Sequence, residues 1–423
     1  VARRNEEHLY AASTDKEVLG MLSGTHPIVR VLRNQKFVNQ VVKFFLRPPV
    51  VDTDGEEVLD EDGDPIYQSG LLHYVRKDGR VHPQFFGTTK TGRQRCASPN
   101  CQNVSSKRED DYRKILGSAY SLPLRAAFTA TPTAPGEDPW VLVDFDLQGA
   151  ELFIMAVQSG DAAMLDACKR NMLPEGHPDY LDFLSNMAVK AFRLDCAPTK
   201  KALAAAGKKG VRTSAKHLVY GLAYGRGDEA VLRAVEEEGD VATLDEIAMV
   251  RAFLFEQFPR LMAYFEACRC RVIDPGHITN CFGRRRRARR PRDQTVLAEL
   301  EREFMNFPIQ ATVADVVNEW LYHLELHPDR YDAAGISRYR ICLQVHDSAI
   351  VECRVSFLER FVEIVKECLS RIVVRRCDLD GRPMDDVCHK MATSIDVFRR
   401  WGVPLKQDEG MRLGIPASFY ATS

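Results

Sequence analysis

Three features of the chain predict a mixed α/β (α+β) fold. Two short apolar runs end in aspartates and read as buried strands: Trp140-Val141-Leu142-Val143-Asp144-Phe145-Asp146 and Arg340-Ile341-Cys342-Leu343-Gln344-Val345-His346-Asp347. Between them, apolar residues recur at helical spacing over much of 150–270 and again over 296–325. Ser348-Ala349-Ile350-Val351-Glu352 then continues the second strand as a hairpin. With 423 residues, 45% of them hydrophobic, the chain can bury its core without staples. This length suits roughly two to four packed units.

In chain order, 15–22 and 29–46 carry apolar positions at three-to-four spacing, and Arg47-Pro48-Pro49 ends the second run. An acidic stretch over 52–65 reads as a solvated loop. Residues 71–86 alternate as a hairpin about the turn Lys77-Asp78-Gly79-Arg80. The Pro, Ala and Thr content of 120–139 predicts a loop. Helices are expected over 200–225, 243–258 and 296–325, and a last long one over 357–374.

Charge narrows the function classes. Lys+Arg number 58 and Asp+Glu 59, so the chain is globally neutral and a nucleic acid would have to be held by local patches. No apolar run reaches the roughly 18–20 residues a membrane span needs. The twelve cysteines contain no CxxC pair, which predicts ordinary thiols rather than a metal or disulfide framework.

The chemistry concentrates in three segments. Asp146 and Asp347 end separate strands; if those strands are neighbours, both carboxylates reach one point. There they suit two hard divalent ions that clamp the attacking and leaving oxygens of a phosphoryl transfer. Taken singly, each could simply end a strand. Between them, Arg212, Lys216, Tyr220 and Tyr224 recur every four residues, so a helix sets two cations and two rings along one slowly drifting face. Such a face can hold a triphosphate and stack on a base, although an amphipathic core helix is the plainer alternative. Outside these three segments, Arg284-Arg285-Arg286-Arg287-Ala288-Arg289-Arg290-Pro291-Arg292 holds seven arginines in nine residues.

In this order the segments closely resemble motifs A, B and C of family A (polymerase I-like) DNA polymerases. Asp146 with Glu151 five residues later is similar to motif A, Arg212 through Gly225 to motif B, and Gln344-Val345-His346-Asp347 to motif C. Thr91-Gly92-Arg93 with Pro99-Asn100-Cys101-Gln102-Asn103 resembles the family's TGR…PNLQN segment. Phe282-Gly283-Arg284-Arg285-Arg286 resembles its FGRRR element, and Glu301-Arg302 with Asn306-Phe307-Pro308-Ile309-Gln310-Ala311-Thr312 its ER…N-x-PVQGT segment.

The resemblance implies a right-hand fold with an antiparallel palm sheet, helical fingers and a helical thumb. The boundaries it implies are 1–90 thumb, 91–153 palm, 154–295 fingers and 296–423 palm. It also implies that Asp146, Asp347 and the Leu147 carbonyl hold two Mg²⁺, with Mn²⁺ able to substitute. Arg212 and Lys216 would contact the triphosphate, with Lys216 placed to protonate the leaving group. Tyr224 would stack at the template or insertion position, Glu151 would exclude a ribose 2′-OH, and Tyr220 would confer use of dideoxynucleotides. His346 would lie near the primer terminus. Arg93, Gln102, Asn103, Arg302, Asn306, Gln310 and Gln344 would bind primer–template DNA, with Arg284 and Arg285 on template phosphates. The implied partners are primer–template DNA and dNTPs, with no membrane. The implied enzyme is a monomer of a bacterial or phage-infected cytoplasm, an organelle and a processivity partner being left open. No exonuclease acid set is evident, so extension without editing is expected.

Three departures qualify the match. Ser348 stands where family A enzymes place Glu, and His-Asp-Ser is typical of single-subunit phage-type RNA polymerases; Glu151, where those enzymes have a small residue, argues for DNA synthesis. Asp144 adds a carboxylate on the face of Asp146, read as a buried hydrogen-bonded acid rather than a third ligand. The family's histidine after motif A is not evident, since His177 is only nearby and Leu181 holds the aligned position. A polymerase-fold protein that binds DNA without catalysis is the rival of a different class.

Overall fold

The structure, a computed structural model, describes residues 70–87, 89–104, 123–174, 176–222, 225–237 and 240–419, with isolated residues and short pieces before 70. The helix expected over 15–22 lies outside these, as does most of the acidic stretch; within 29–46, the described residues are helical. The chain divides into two compact units, Val1–Phe86 with Cys96–Ser121, and Gly87–Arg95 with Leu122–Ser423.

In the first unit the expected hairpin is reduced to its turn. The Arg76 and Arg80 backbones close it at 2.9 Å and Val75 bridges Val81, but Leu71–Tyr74 is a 3₁₀ turn. Leu72 and Val75 stay exposed, so among the described residues their alternation meets no second layer that would bury it.

The second unit is built on a four-stranded antiparallel sheet. Its strands are β1 (Trp140–Leu147), β4 (Tyr339–Val345), β5 (Ser348–Arg354) and β8 (Thr393–Phe398), in the order β8-β1-β5-β4. Ahead of β1, the described part of the expected loop contains the short 3₁₀ turn Leu124–Ala127. After β1 come α1 (Ala150–Ser159), α2 (Ala162–Asn171), α3 (Phe183–Ala191), α4 (Lys200–Ala205), α5 (Lys209–Leu222), α6 (Asp228–Glu237), α7 (Leu244–Gln257) and α8 (Pro259–Cys270). The helix expected over 200–225 is therefore two, broken at Gly207, whose φ of 68° is left-handed. The helix expected over 243–258 holds, with a Thr243–Glu246 capping box.

A ribbon follows, β2 (His277–Thr279) with β3 (Arg285–Arg287), and then the 32-residue α9 (Gln294–Glu325). Helix α9 packs on the sheet through Trp320, whose ring lies 4.6 Å from that of Phe145 and whose indole N–H reaches the Val365 carbonyl at 2.8 Å. Both rings are buried, each contributing about 2–3 kcal/mol of hydrophobic stabilisation. Helix α10 (Leu358–Arg371) stops short of the expected 374, because Val374 opens the hairpin β6 (Val374–Cys377) and β7 (Pro383–His389). All twelve cysteines are free thiols. Among the described residues no helix is long and apolar enough to cross a membrane.

Candidate active site

Strands β1 and β5 are adjacent, with Asp146 opposite Ser348 and the Leu147 N–H donating to the Asp347 carbonyl at 3.3 Å. The two aspartates therefore meet at one end of the sheet. Val345 pairs directly with Ser348, leaving His346 and Asp347 as a two-residue hairpin turn. His346 takes a φ of 57°, a conformation for which His is among the more tolerant residues. The Ser348 hydroxyl donates to the Val345 carbonyl at 3.0 Å, so the serine that departs from the family pattern closes the turn. On the other flank of β1, the Thr393 hydroxyl donates to the Asp146 carbonyl at 2.9 Å.

Desolvation by the surrounding protein, together with the charges of Asp347 and Asp144, pushes the Asp146 carboxyl up to about 6. Asp144 accepts a hydrogen bond from the Trp401 indole at 3.1 Å, and burial raises its pKa as well. It is a hydrogen-bonded acid under a tryptophan, itself covered by Arg125 at 4.2 Å from the ring centre. Among the described residues no group of three or more His, Cys, Asp or Glu is arranged to hold a metal.

Glu151 projects from the first turn of α1, after Gly149 makes the tight exit from β1 with a φ of 57°. Arg93 bridges the site: its Nη2 donates to Glu151 Oε1 at 2.8 Å and to Asp347 Oδ1 at 3.2 Å. Sequence reasoning had assigned Arg93 to a DNA groove; here its guanidinium lies between two site acids. Neighbouring Gly92 is pinned to α9 through its carbonyl, which accepts from Asn318 at 3.3 Å. Gly92 has a left-handed φ of 78°, which favours glycine, and a Cβ there would also stand 2.5 Å from Arg284 Cζ and displace that guanidinium.

On α5, Arg212, Lys216 and Tyr220 are all half-buried and share the expected face, while Tyr224 lies outside the described residues. Burial, then the charge of Glu151, raises the Tyr220 pKa. Arg212 does not stand alone: Nη2 donates to both oxygens of Asp182, at 3.2 and 3.1 Å, and Nε to Ser185 Oγ at 2.9 Å. Asp182 is the N-cap of α3. His177 is exposed and its ring accepts from the Asp179 N–H at 3.1 Å.

Arg285–Arg287 of the arginine run form strand β3, so their side chains alternate. Arg284 is bidentate on Asp315, with Nε at 3.0 Å and Nη2 at 2.6 Å from Oδ1. Arg286 pairs with Glu303 at 2.6 Å. Arg285, which donates to Thr279 Oγ1 at 3.2 Å, and Arg287, Arg289 and Arg290 are exposed. Arg284 thus has a carboxylate partner where a template phosphate was expected. Arg302 is exposed on α9 and lies against Gly225, whereas Gln310 and Gln344 are buried. Asn306 Oδ1 is buried with no hydrogen-bond partner among the described residues. Gln102 and Asn103 belong to the first unit, where Gln102 Oε1 accepts from the Cys96 N–H at 3.0 Å.

Sequence reasoning missed Asp182, Asp315 and Trp401. Asp182 could have been found as a helix cap, being an Asp just before an apolar run. Nothing in the string of residues links it to Arg212 or Asp315 to Arg284.

The chain is similar to known proteins. The chain is 27% identical over 322 residues to DNA polymerase I of Bacillus caldotenax, covering 74% of this chain and 32% of that protein. It is 25% identical over 371 residues to the DNA polymerase of Escherichia phage T5, covering 84% and 38%. The chain spans about a third of the length of the curated relatives it matches. Among solved structures it is similar to the POL domain of Pol1 from M. smegmatis in complex with DNA primer-template and dNTP. That likeness has a TM-score of 0.64 at 22% identity and covers 95% of this chain and 57% of the other. Residues 3–380 match the sequence model of DNA polymerase family A, and the chain belongs to that family.

Proposed function

We propose that the chain is a template-directed DNA polymerase that adds deoxynucleotides to a primer 3′-OH by two-metal-ion phosphoryl transfer. The observation that carries this reading is the meeting of Asp146 and Asp347 at the ends of adjacent strands. Two carboxylates are a hard-oxygen donor set that suits divalent ions, whose remaining positions go to substrate oxygens and water. Burial, then the charges of Asp347 and Asp144, raises the Asp146 pKa, and a cation bound there would favour the charged form. Bound through Asp146, Asp347 and the Leu147 carbonyl, Mg²⁺ (or Mn²⁺) would supply the Lewis acidity that activates the 3′-OH and neutralises the leaving pyrophosphate.

The protein's own groups do the rest. Arg212 and Lys216 hold the triphosphate, and Lys216 is the proton donor to the leaving group. Glu151, anchored by Arg93, occupies the space a ribose 2′-OH would need. Tyr220 stands beside Glu151 under the sugar, and Tyr224 stacks with the base. His346 borders the primer terminus. Arg302 and the amide N–H groups of Asn306, Gln310 and Gln344 donate to the minor groove, where acceptors are nearly independent of sequence. Gln102, Asn103 and the exposed Arg285 add DNA contacts. On this reading 1–90 form the thumb, 154–295 the fingers, and 91–153 with 296–423 the palm. The enzyme acts as a monomer, alone or with a processivity partner, in a bacterial or phage-infected cytoplasm.

Primer extension on a primed DNA template with Mg²⁺, comparing dNTPs with rNTPs, tests the proposal. Extension by dNTPs alone is expected. Extension by rNTPs would instead make His346-Asp347-Ser348 the truer marker, and DNA binding without extension would indicate a non-catalytic relative.

A further inference from the structure

The guanidinium of Arg212 is gripped along one edge only. Its Nε donates to Ser185 Oγ at 2.9 Å and more weakly to Asp182 Oδ2 at 3.4 Å, and Nη2 donates to both Asp182 oxygens. Nη1 has no partner among the described residues. The grip is itself held in place. Ser185 is fully buried and donates to Asp182 Oδ2 at 2.7 Å, and Asp182 Oδ1 accepts the Ser185 N–H at 3.1 Å as it caps α3.

Capping alone does not explain an aspartate here. Ser, Thr or Asn would cap as well without a charge, and the Asp182 side chain is only 11% exposed. A carboxylate so far out of water needs its cation, and the cation it takes is the one on the nucleotide-facing side of α5. Because a guanidinium is planar and rigid, fixing its Nε–Nη2 edge fixes the direction of both Nη1 donors.

We propose that Asp182 is a positioning residue for Arg212: with Ser185 it sets the guanidinium plane, so that an incoming triphosphate oxygen meets Nη1 already aligned. This rests on the polymerase reading above. The opposite role, a carboxylate that competes with phosphate for the arginine, would require the Nη1 end to be the one occupied. The two roles predict opposite changes in nucleotide affinity.

The test is Asp182→Asn, which keeps a good N-cap but turns an amide N–H toward the guanidinium. The readouts are KM and kcat for dNTP in primer extension, and the equilibrium Kd for dNTP on a dideoxy-terminated primer–template, which needs no turnover. KM and Kd are expected to rise about 10-fold with kcat within about 2-fold, a cost typical of a misplaced binding group. In an Arg212→Ala background the same change should have no further effect, which a purely structural role would not produce. Unchanged or lowered KM and Kd, or an equal rise without Arg212, overturns the proposal. Should Asp182→Asn melt early, Ser185→Ala, which removes the hydrogen bond to Nε, must still raise Kd by a smaller factor. Failure of the unaltered chain to extend any primer counts against the polymerase reading alone, since the Kd comparison remains.

Discussion

The aspartate end of the sheet and the arginine ribbon β2–β3 treat charge in opposite ways. At the sheet end, like charges are crowded: burial, then the charges of Asp347 and Asp144, raises the Asp146 pKa, with Arg93 bound to Asp347 and Glu151. On the ribbon, the inward arginines each meet a carboxylate, Arg284 at Asp315 and Arg286 at Glu303, which Lys90 also contacts, and the outward ones face solvent. Folding alone would favour the second pattern, since an unbalanced charge near the protein interior costs free energy. Crowded carboxylates thus mark where a ligand completes the balance, and matched pairs mark where the fold is already complete.

Substitutions can break this contrast, and the largest effect away from the aspartates themselves is expected at Glu151. Glu151→Ala should raise ribonucleotide incorporation relative to deoxynucleotide by about 10²-fold, the scale on which a site rejects an extra group by contact. Competitive extension with mixed dNTP and rNTP measures it, and an unchanged ratio removes the gate role. Next is Asp315→Ala, which strips the partner from Arg284 beneath Gly92. Since Arg284 is 37% exposed, a loss of about 2 kcal/mol in denaturant unfolding is expected rather than the full cost of a buried orphan. A loss as small as that from an ordinary surface change would show the pair to be incidental.

The outward arginines should behave differently. Replacing Arg287 and Arg289 with Ala should leave stability within about 0.5 kcal/mol. It should lower the slope of log DNA affinity against log salt by about 0.9 for each phosphate that the variant no longer neutralises. Salt titrations of DNA binding that give identical slopes would confine those arginines to solvent.

The smallest effect concerns His389, buried at the end of β7 against Phe153 and beside Lys169 and Asp385. Burial, reinforced by Lys169, lowers its pKa below the ordinary value of 6.5. Above that value both folded and unfolded chains are neutral there. As pH falls below it, the unfolded chain takes a proton that the folded chain refuses, so stability declines with acidification. His389→Gln should flatten the slope of unfolding free energy between pH 7 and pH 5, and an unaltered slope would show that the proton is taken up elsewhere.

How much of this was legible beforehand follows from where the information lies. The strands ending in Asp146 and Asp347, the hairpin at Ser348 and the helix α9 were readable because apolar runs and their terminators are local. Strand β8 was not: it pairs with β1 at the sheet edge, and its apolar residues Ile395, Val397 and Phe398 make too short a run to stand out from the chain. The arginine run announced positive charge but not its alternation, which appears only once β3 is known to be a strand. Asp182 with Arg212 and Asp315 with Arg284 join segments that only folding brings together.

The central claim is that Asp146 and Asp347 are crowded because divalent ions complete them, and Asp347→Asn tests it most directly. Primer extension and primer–template binding should be measured on the same preparation with Mg²⁺. The account predicts a loss of extension on the order of 10³-fold or more, with DNA binding retained. Extension that survives the substitution would contradict it.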